Sequence, residues 1–188
     1  MCIRDSVYVA TRVLHGKELL AIARFDRFEF GLALITLLTV ALVGVEQGIG
    51  VAVGLAILDR TRLTARSKMQ ILGRIPNSTS WTPLSADPDA RPVPSVLVVL
   101  FSSPLWYANA VHFQGQLRTA VSSAPAPLKV VVLDSIGMND SDFTGCRVLQ
   151  EELDDLAAAH IEFGVARAGA ELMATMHHSG LFLSLIHI

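Results

Sequence analysis

Residues 128–145, LKVVVLDSIGMNDSDFTG, decide how the second half of this chain folds. The run LKVVVL is apolar and β-branched without alternation, the pattern of a strand covered on both faces. It ends on Asp134, and residues 135–142 form a polar loop. Residues 145–160 then read as a helix with Leu149, Leu153, Leu156 and Ala157 inside and Glu151, Glu152, Asp154 and Asp155 outside. Upstream, residues 95–101 (SVLVVLF) are another buried strand. Asn109 is placed to cap a helix whose apolar face carries Phe113, Leu117, Ala120 and Val121, closed by the Ala-Pro repeat at 124–127. Downstream come a strand at 161–166 and a helix at 170–178. Alternation of this kind predicts an α/β domain with a mainly parallel sheet and right-handed crossovers, truncated before a further strand.

Farther upstream the chain changes character. Residues 28–58 (FEFGLALITLLTVALVGVEQGIGVAVGLAIL) are almost wholly apolar. As one helix they would extend about 46 Å, well past the ~30 Å hydrocarbon core of a bilayer. Three glycines and Glu46 interrupt the run at 44–50, so a membrane α-helical hairpin fits better, with spans near 28–43 and 49–60 and a turn at Glu46. Arg12, Lys17, Arg24 and Arg27 precede it, and Arg60, Arg62, Arg66, Lys68 and Arg74 follow it. Basic flanks mark the cytoplasmic side, and a hairpin keeps both there. Gly44/Gly48 and Gly50/Gly54 have the spacing that lets helices approach closely, or are simply glycines tolerated in a membrane helix. Glu46 reads as a solvated tip rather than an intramembrane carboxylate. Residues 61–73 continue the last helix along the lipid surface. Residues 75–94, with five prolines, form an extended linker.

The resulting organisation is transmembrane and juxtamembrane helices at 7–74, a Pro-rich linker at 75–94 and an α/β domain at 95–182. The terminal hexapeptides, MCIRDS (1–6) and LSLIHI (183–188), look like translated sequencing adapter and are set aside. Composition supports the division. The whole chain is 52% hydrophobic and 17% charged, with net charge −2. Residues 7–74 carry nine Lys/Arg against five Asp/Glu, a balance of +4, whereas residues 75–182 carry five against eleven, a balance of −6. An acidic domain has the wrong sign for a nucleic-acid partner. With only Cys2 and Cys146 present, no disulfide framework forms, as suits a reducing compartment.

The residues that invite a functional reading lie at the carboxyl end of the 128–133 strand, where open α/β sheets place their ligands. They are Asp134, Ser141, Asp142, Thr144 and Gly145. Asp142 or Thr144 is set to cap the following helix, whose N-terminus either is satisfied by that cap or holds an anion or a phosphorylated hydroxyl. His160, His177 and His178 lack metal-ligand spacing, and no metal or cofactor is expected. No nucleophile elbow or Gly-rich phosphate loop is present, so an enzyme is not expected. Trp106 and Tyr107 read as core or docking surface.

At this point the chain resembles the C-terminal end of the SulP family of anion transporters. The residues that carry the resemblance are Leu72-Gly73-Arg74-Ile75-Pro76, the stretch VLVVLFSSPLWYANAVHF with 104–110 at its centre, and VVLDSIGMNDSDFTGCRVLQEELDDL. The soluble part resembles their cytoplasmic STAS domain. The resemblance implies a multi-pass plasma-membrane protein, a homodimer, performing secondary active transport of sulfate or a related anion. Its anion site would lie on helices upstream of this chain. The STAS loop would be the place for a protein or nucleotide partner. STAS domains also occur as anti-sigma factor antagonists, so a membrane-anchored STAS signalling protein is the alternative, and an unrelated binding domain on an anchor a third. In the signalling branch a phosphorylated serine directly follows the loop Asp. Here that position is Phe143, which takes no phosphate and fits the transporter branch better.

Overall fold

The computed structural model describes residues 21, 23–125, 127–181 and 186–187, which fall into two compact units, 1–60 and 61–188. The expected adapter at 1–6 and the flanking Arg12 and Lys17 lie outside the described residues.

In the first unit, helix α1 (Arg27–Leu42) is capped by Asp26, whose carboxylate accepts the Phe28 N–H at 2.7 Å. Helix α2 (Val45–Ala65) follows after Val43 and Gly44. The turn therefore falls two residues earlier than expected, at Gly44 with φ +139°, a conformation that suits glycine, and Glu46 stands in the first turn of α2. Gly48 is the buried residue of α2. A Cβ there would run into Val40 of α1, whose Cα would be only 3.2 Å away. Gly50 and Gly54 face open space, so close approach is made at Gly48 alone among these three. Leu42, Val43, Val45, Ile49, Val53, Ile57 and Leu58 are all more than half exposed. No helix among the described residues is long and apolar enough to cross a membrane: α1 has 16 residues, about 24 Å, and α2 carries Glu46, Asp59, Arg60 and Arg62.

In the second unit the expected helix at 61–73 is corrected. It stops at Ala65, and Met69–Arg74 is strand β1. The cause is long-range: β1 pairs antiparallel with β3 (Val96–Phe101), Met69 opposite Phe101 and Leu72 opposite Val98. The 75–94 linker is also corrected. Strand β2 (Trp81–Pro83) pairs antiparallel with β1, and Arg74 and Arg91 exchange backbone hydrogen bonds at 2.9 and 3.0 Å. Pro83 is tolerated because β2 is an edge. Gly73 is required by the same crossing, since a Cβ there would lie 3.0 Å from the Arg91 carbonyl oxygen.

Strands β4 (Val130–Asp134) and β5 (Glu162–Ala166) extend the sheet in parallel. The order is β2-β1-β3-β4-β5-β6, mixed rather than wholly parallel. β6 is Ile186–His187, paired with Gly164 and Val165 at the far edge, on residues the sequence reading sets aside. Helices α3 (Ala110–Ser123), α4 (Phe143–Ala158) and α5 (Ala170–His178) share one core with alternate strand residues, including Val99, Phe101, Val131, Leu133, Phe113, Leu149 and Leu172. Phe101 and Phe113 meet edge to face at 5.1 Å, an arrangement worth about 0.5–1.5 kcal/mol beyond burial. Two positions of α4 are reversed from expectation. Ala157 is exposed, and Glu152 is buried beside Leu149, Leu153 and Leu156. Glu152 is tolerated inside because Arg118 of α3 reaches over the helix pair and donates to it at 2.8 Å.

Candidate functional site

The site is built where β3 and β4 end and α3 and α4 begin. Asp142 is the N-cap of α4: its Oδ1 accepts the Gly145 N–H at 2.7 Å. Its Oδ2 accepts the Tyr107 N–H at 2.9 Å, tying the loop after β3 to the loop after β4. Backbone bonds continue the tie, from Leu105 N to Asp140 O and from Asp142 N to Leu105 O, each 3.1 Å. Both carboxylate oxygens are thus engaged, and a negative group occupies the helix N-terminus. Capping, one of the two readings left open by the sequence, is what this arrangement performs. Gly145 allows the approach, since a Cβ there would meet Ser141 Oγ at 2.6 Å and the Leu105 carbonyl carbon at 2.9 Å.

Ser141 is buried, its Oγ donating to Asp142 O at 3.4 Å and accepting from the Cys146 thiol at 3.6 Å. Thr144 is half-buried on α4, and Phe143 is 82% exposed beside it. Asp134 lies apart from this group, on the sheet face that α3–α5 do not cover. It is buried, accepts from Ile136 N at 3.2 Å, and holds Arg167 through two parallel bonds, Nε to Oδ1 at 2.9 Å and Nη2 to Oδ2. The hydrogen bond to Asp134 raises the Arg167 pKa above its ordinary value. Arg167 itself adopts a left-handed backbone, φ +58°. The loop therefore brings Ser141, Asp142, Thr144 and Gly145 together, while Asp134 serves a separate ion pair.

Two features escaped the sequence reading. Arg167 was legible in principle, because it follows Ala166, the residue paired with Asp134 at the end of the neighbouring strand. Asn109 does precede α3, but its side chain does not cap that helix. Fully buried, it donates from Nδ2 to Pro104 O (2.8 Å) and Ser103 Oγ (3.1 Å) and accepts from Trp106 N (2.9 Å), setting the shape of the loop. Trp106 and Tyr107 meet edge to face at 5.0 Å, with Tyr107 61% exposed. His160 caps the C-terminus of α4 in the left-handed conformation, φ +57°: its N–H donates to Ala157 O, and the next, from Ile161, to Leu156 O. A cleft of about 910 Å³ opens between α4 and α5, lined by Phe143, Arg147, Gln150, Thr175 and His178 among others.

The loop after β4 stands on a mixed α/β sheet, is tied by Asp142 to the loop after β3, and is flanked by the exposed Tyr107 and Phe143. The family model for the STAS domain matches residues 87–188, more than half of the sequence, and the chain belongs to that family. Its similarity runs further. It is 31% identical over 175 residues to a probable sulfate transporter of Mycobacterium tuberculosis, an alignment covering 93% of this chain and 31% of the relative. It is 22% identical over 164 residues to the probable sulfate transporter 3.5 of Arabidopsis thaliana, covering 87% and 26%. The chain thus spans about a third or less of the length of these curated relatives. The murine solute carrier 26 family member A9 anion transporter, in its inward-facing state, shares the fold with TM-score 0.81 at 17% identity, covering 87% of this chain and 26% of that one. These relatives are named as transporters, not enzymes.

Proposed function

We propose that this chain is the C-terminal part of a secondary active transporter of sulfate or a related anion, ending in a cytoplasmic regulatory STAS domain. The observation that carries the reading is the extent of the similarity to the mycobacterial sulfate transporter. It covers 93% of the chain, and so includes the helical unit as well as the domain. A free-standing STAS protein has no reason to match across α1 and α2. The exposed apolar residues of those helices are then surface for the bilayer and for further transmembrane helices, and the basic flanks lie on the cytoplasmic side. The protein works as a homodimer in the plasma membrane. The anion site belongs to upstream helices, and this chain contributes the last helices and the domain that regulates them, with the 134–145 loop available to a protein or nucleotide partner.

The signalling alternative is disfavoured by two side chains: the position after Asp142 is Phe143, and the nearby Ser141 is buried. The test is uptake of labelled sulfate, bicarbonate and dicarboxylate by cells lacking their own permeases and expressing the whole source gene. Uncoupler-sensitive uptake of one anion is expected, altered by deletion of residues 61–188. No uptake of any of them, from a gene with no further hydrophobic spans, would replace the transporter reading with the membrane-tethered signalling one.

A further inference from the structure

We propose that Gln116 is a latch through which the STAS domain registers displacement of the chain arriving from α2. Gln116 lies in the middle of α3, yet its carboxamide is spent 47 to 49 residues upstream. Oε1 accepts the Met69 N–H at 2.7 Å, and Nε2 donates to the Ser67 carbonyl at 3.0 Å. These two groups flank Lys68 and offer an acceptor and a donor to one carboxamide, as an edge strand offers them to a partner strand. A carboxamide offers one donor and one acceptor at the spacing of a peptide group, so Gln116 stands in for that partner.

The position of this bond pair matters. The last turn of α2 ends in short-range bonds from Arg66 N to Leu63 O and Ser67 N to Thr64 O, and pairing with β3 begins only at Met69. Gln116 therefore holds the step between helix and sheet, from Ser67 to Met69, the first residue that the sheet secures. The same helix carries the contacts that reach the candidate site. Two residues on, Arg118 binds Glu152 and Asp155 of α4, each at 2.8 Å. At the start of α3, Asn109 shapes the loop in which Tyr107 holds Asp142. A shift of the entering chain must either break the latch or carry α3 with it, and α3 is joined to both ends of the loop–α4 assembly. Contiguity of this kind is a physical route for coupling, which becomes regulation when both ends bias it.

The inference rests, for its second arm, on the reading that α1 and α2 meet the bilayer. The experiment measures amide exchange in the 188-residue chain and in the Gln116→Leu and Gln116→Glu variants, in solution and on vesicles of phosphatidylethanolamine with one quarter phosphatidylglycerol. In solution, the Met69 amide should exchange on the order of tenfold faster in Gln116→Leu, with Val99 and Val132 unchanged. Gln116→Glu keeps the acceptor and should retain most of the Met69 protection. On vesicles, exchange in α3 and residues 139–145 should change severalfold in the native chain and not in Gln116→Leu. Unchanged Met69 exchange in Gln116→Leu, or uniform acceleration through the core, overturns the latch. A vesicle response that survives in Gln116→Leu overturns the coupling. Cosedimentation is read separately: failure to bind vesicles sinks the membrane reading, and the solution arm still decides whether the latch exists.

Discussion

At the residue scale, the loop before α4 shows one carboxylate doing two structural tasks. Asp142→Ala removes the cap at Gly145 and the tie to Tyr107 together, and should destabilise the domain by about 1–2 kcal/mol in urea titration. Asp142→Asn, which can still cap, should recover most of that loss. His160→Gly should do the opposite and stabilise by about 0.5–1 kcal/mol, because glycine adopts the left-handed cap without a Cβ penalty. A higher melting temperature checks it. Arg167→Leu leaves the buried Asp134 carboxylate without its fork and should cost about 1–3 kcal/mol. The sign of the pH dependence follows from the raised Arg167 pKa, caused first by the hydrogen bond to Asp134. Stabilisation from a raised group is complete below its unfolded value and lost only as pH climbs through the folded one. The arginine side of this pair therefore stays constant through the neutral range and fails only in strong alkali. The identity of the loop residues was legible in the sequence, because a polar loop between a buried strand and an amphipathic helix has few ways to close. Their roles were not. Which groups Asp142 and Asn109 bind depends on a neighbouring loop about 35 residues away, or on a turn whose shape no spacing rule specifies.

At the element scale, the three helices of the domain followed from their apolar periodicity, and β3, β4 and β5 from their apolar runs. Strands β1 and β2 did not. MQILGR is as long as β3 but too mixed in character to declare itself, and its extended form comes from pairing with β3 rather than from local preference. The basic residues ahead of it and the prolines after it suggested helix and linker, yet both stretches add antiparallel strands to the sheet. Glu152 was assigned outward because it is charged, although 149, 152, 153 and 156 form a single stripe once Arg118 supplies the missing partner. Two glycine replacements test how the elements pack. Gly145→Ala drives a methyl into the Leu105 backbone and should cost about 1–3 kcal/mol. Gly115→Ala, on an open position within α3, should stabilise by about 0.5–1 kcal/mol. Chemical denaturation of both variants gives opposite shifts in midpoint if the packing is as described.

At the scale of the whole molecule, the boundary of the domain lies well upstream of the first strand that the sequence declares. A polypeptide of residues 61–188 retains β1 and β2, whereas one beginning at 96 exposes the full edge of β3. The longer piece should be monomeric with one cooperative melting transition, and the shorter one should aggregate through its bare edge. Equal solubility and melting temperature of the two would refute this. The two halves of the chain also differ in sign, +4 against −6, which the sequence displays openly and which no single element reveals. Finally, the grip of Gln116 on Ser67 and Met69 touches only main-chain atoms. A grip of that kind leaves no imprint on the side chains it holds. A side-chain replacement at 67–69 other than proline leaves both of its partners in place, whereas replacing Gln116 removes the donor and the acceptor together.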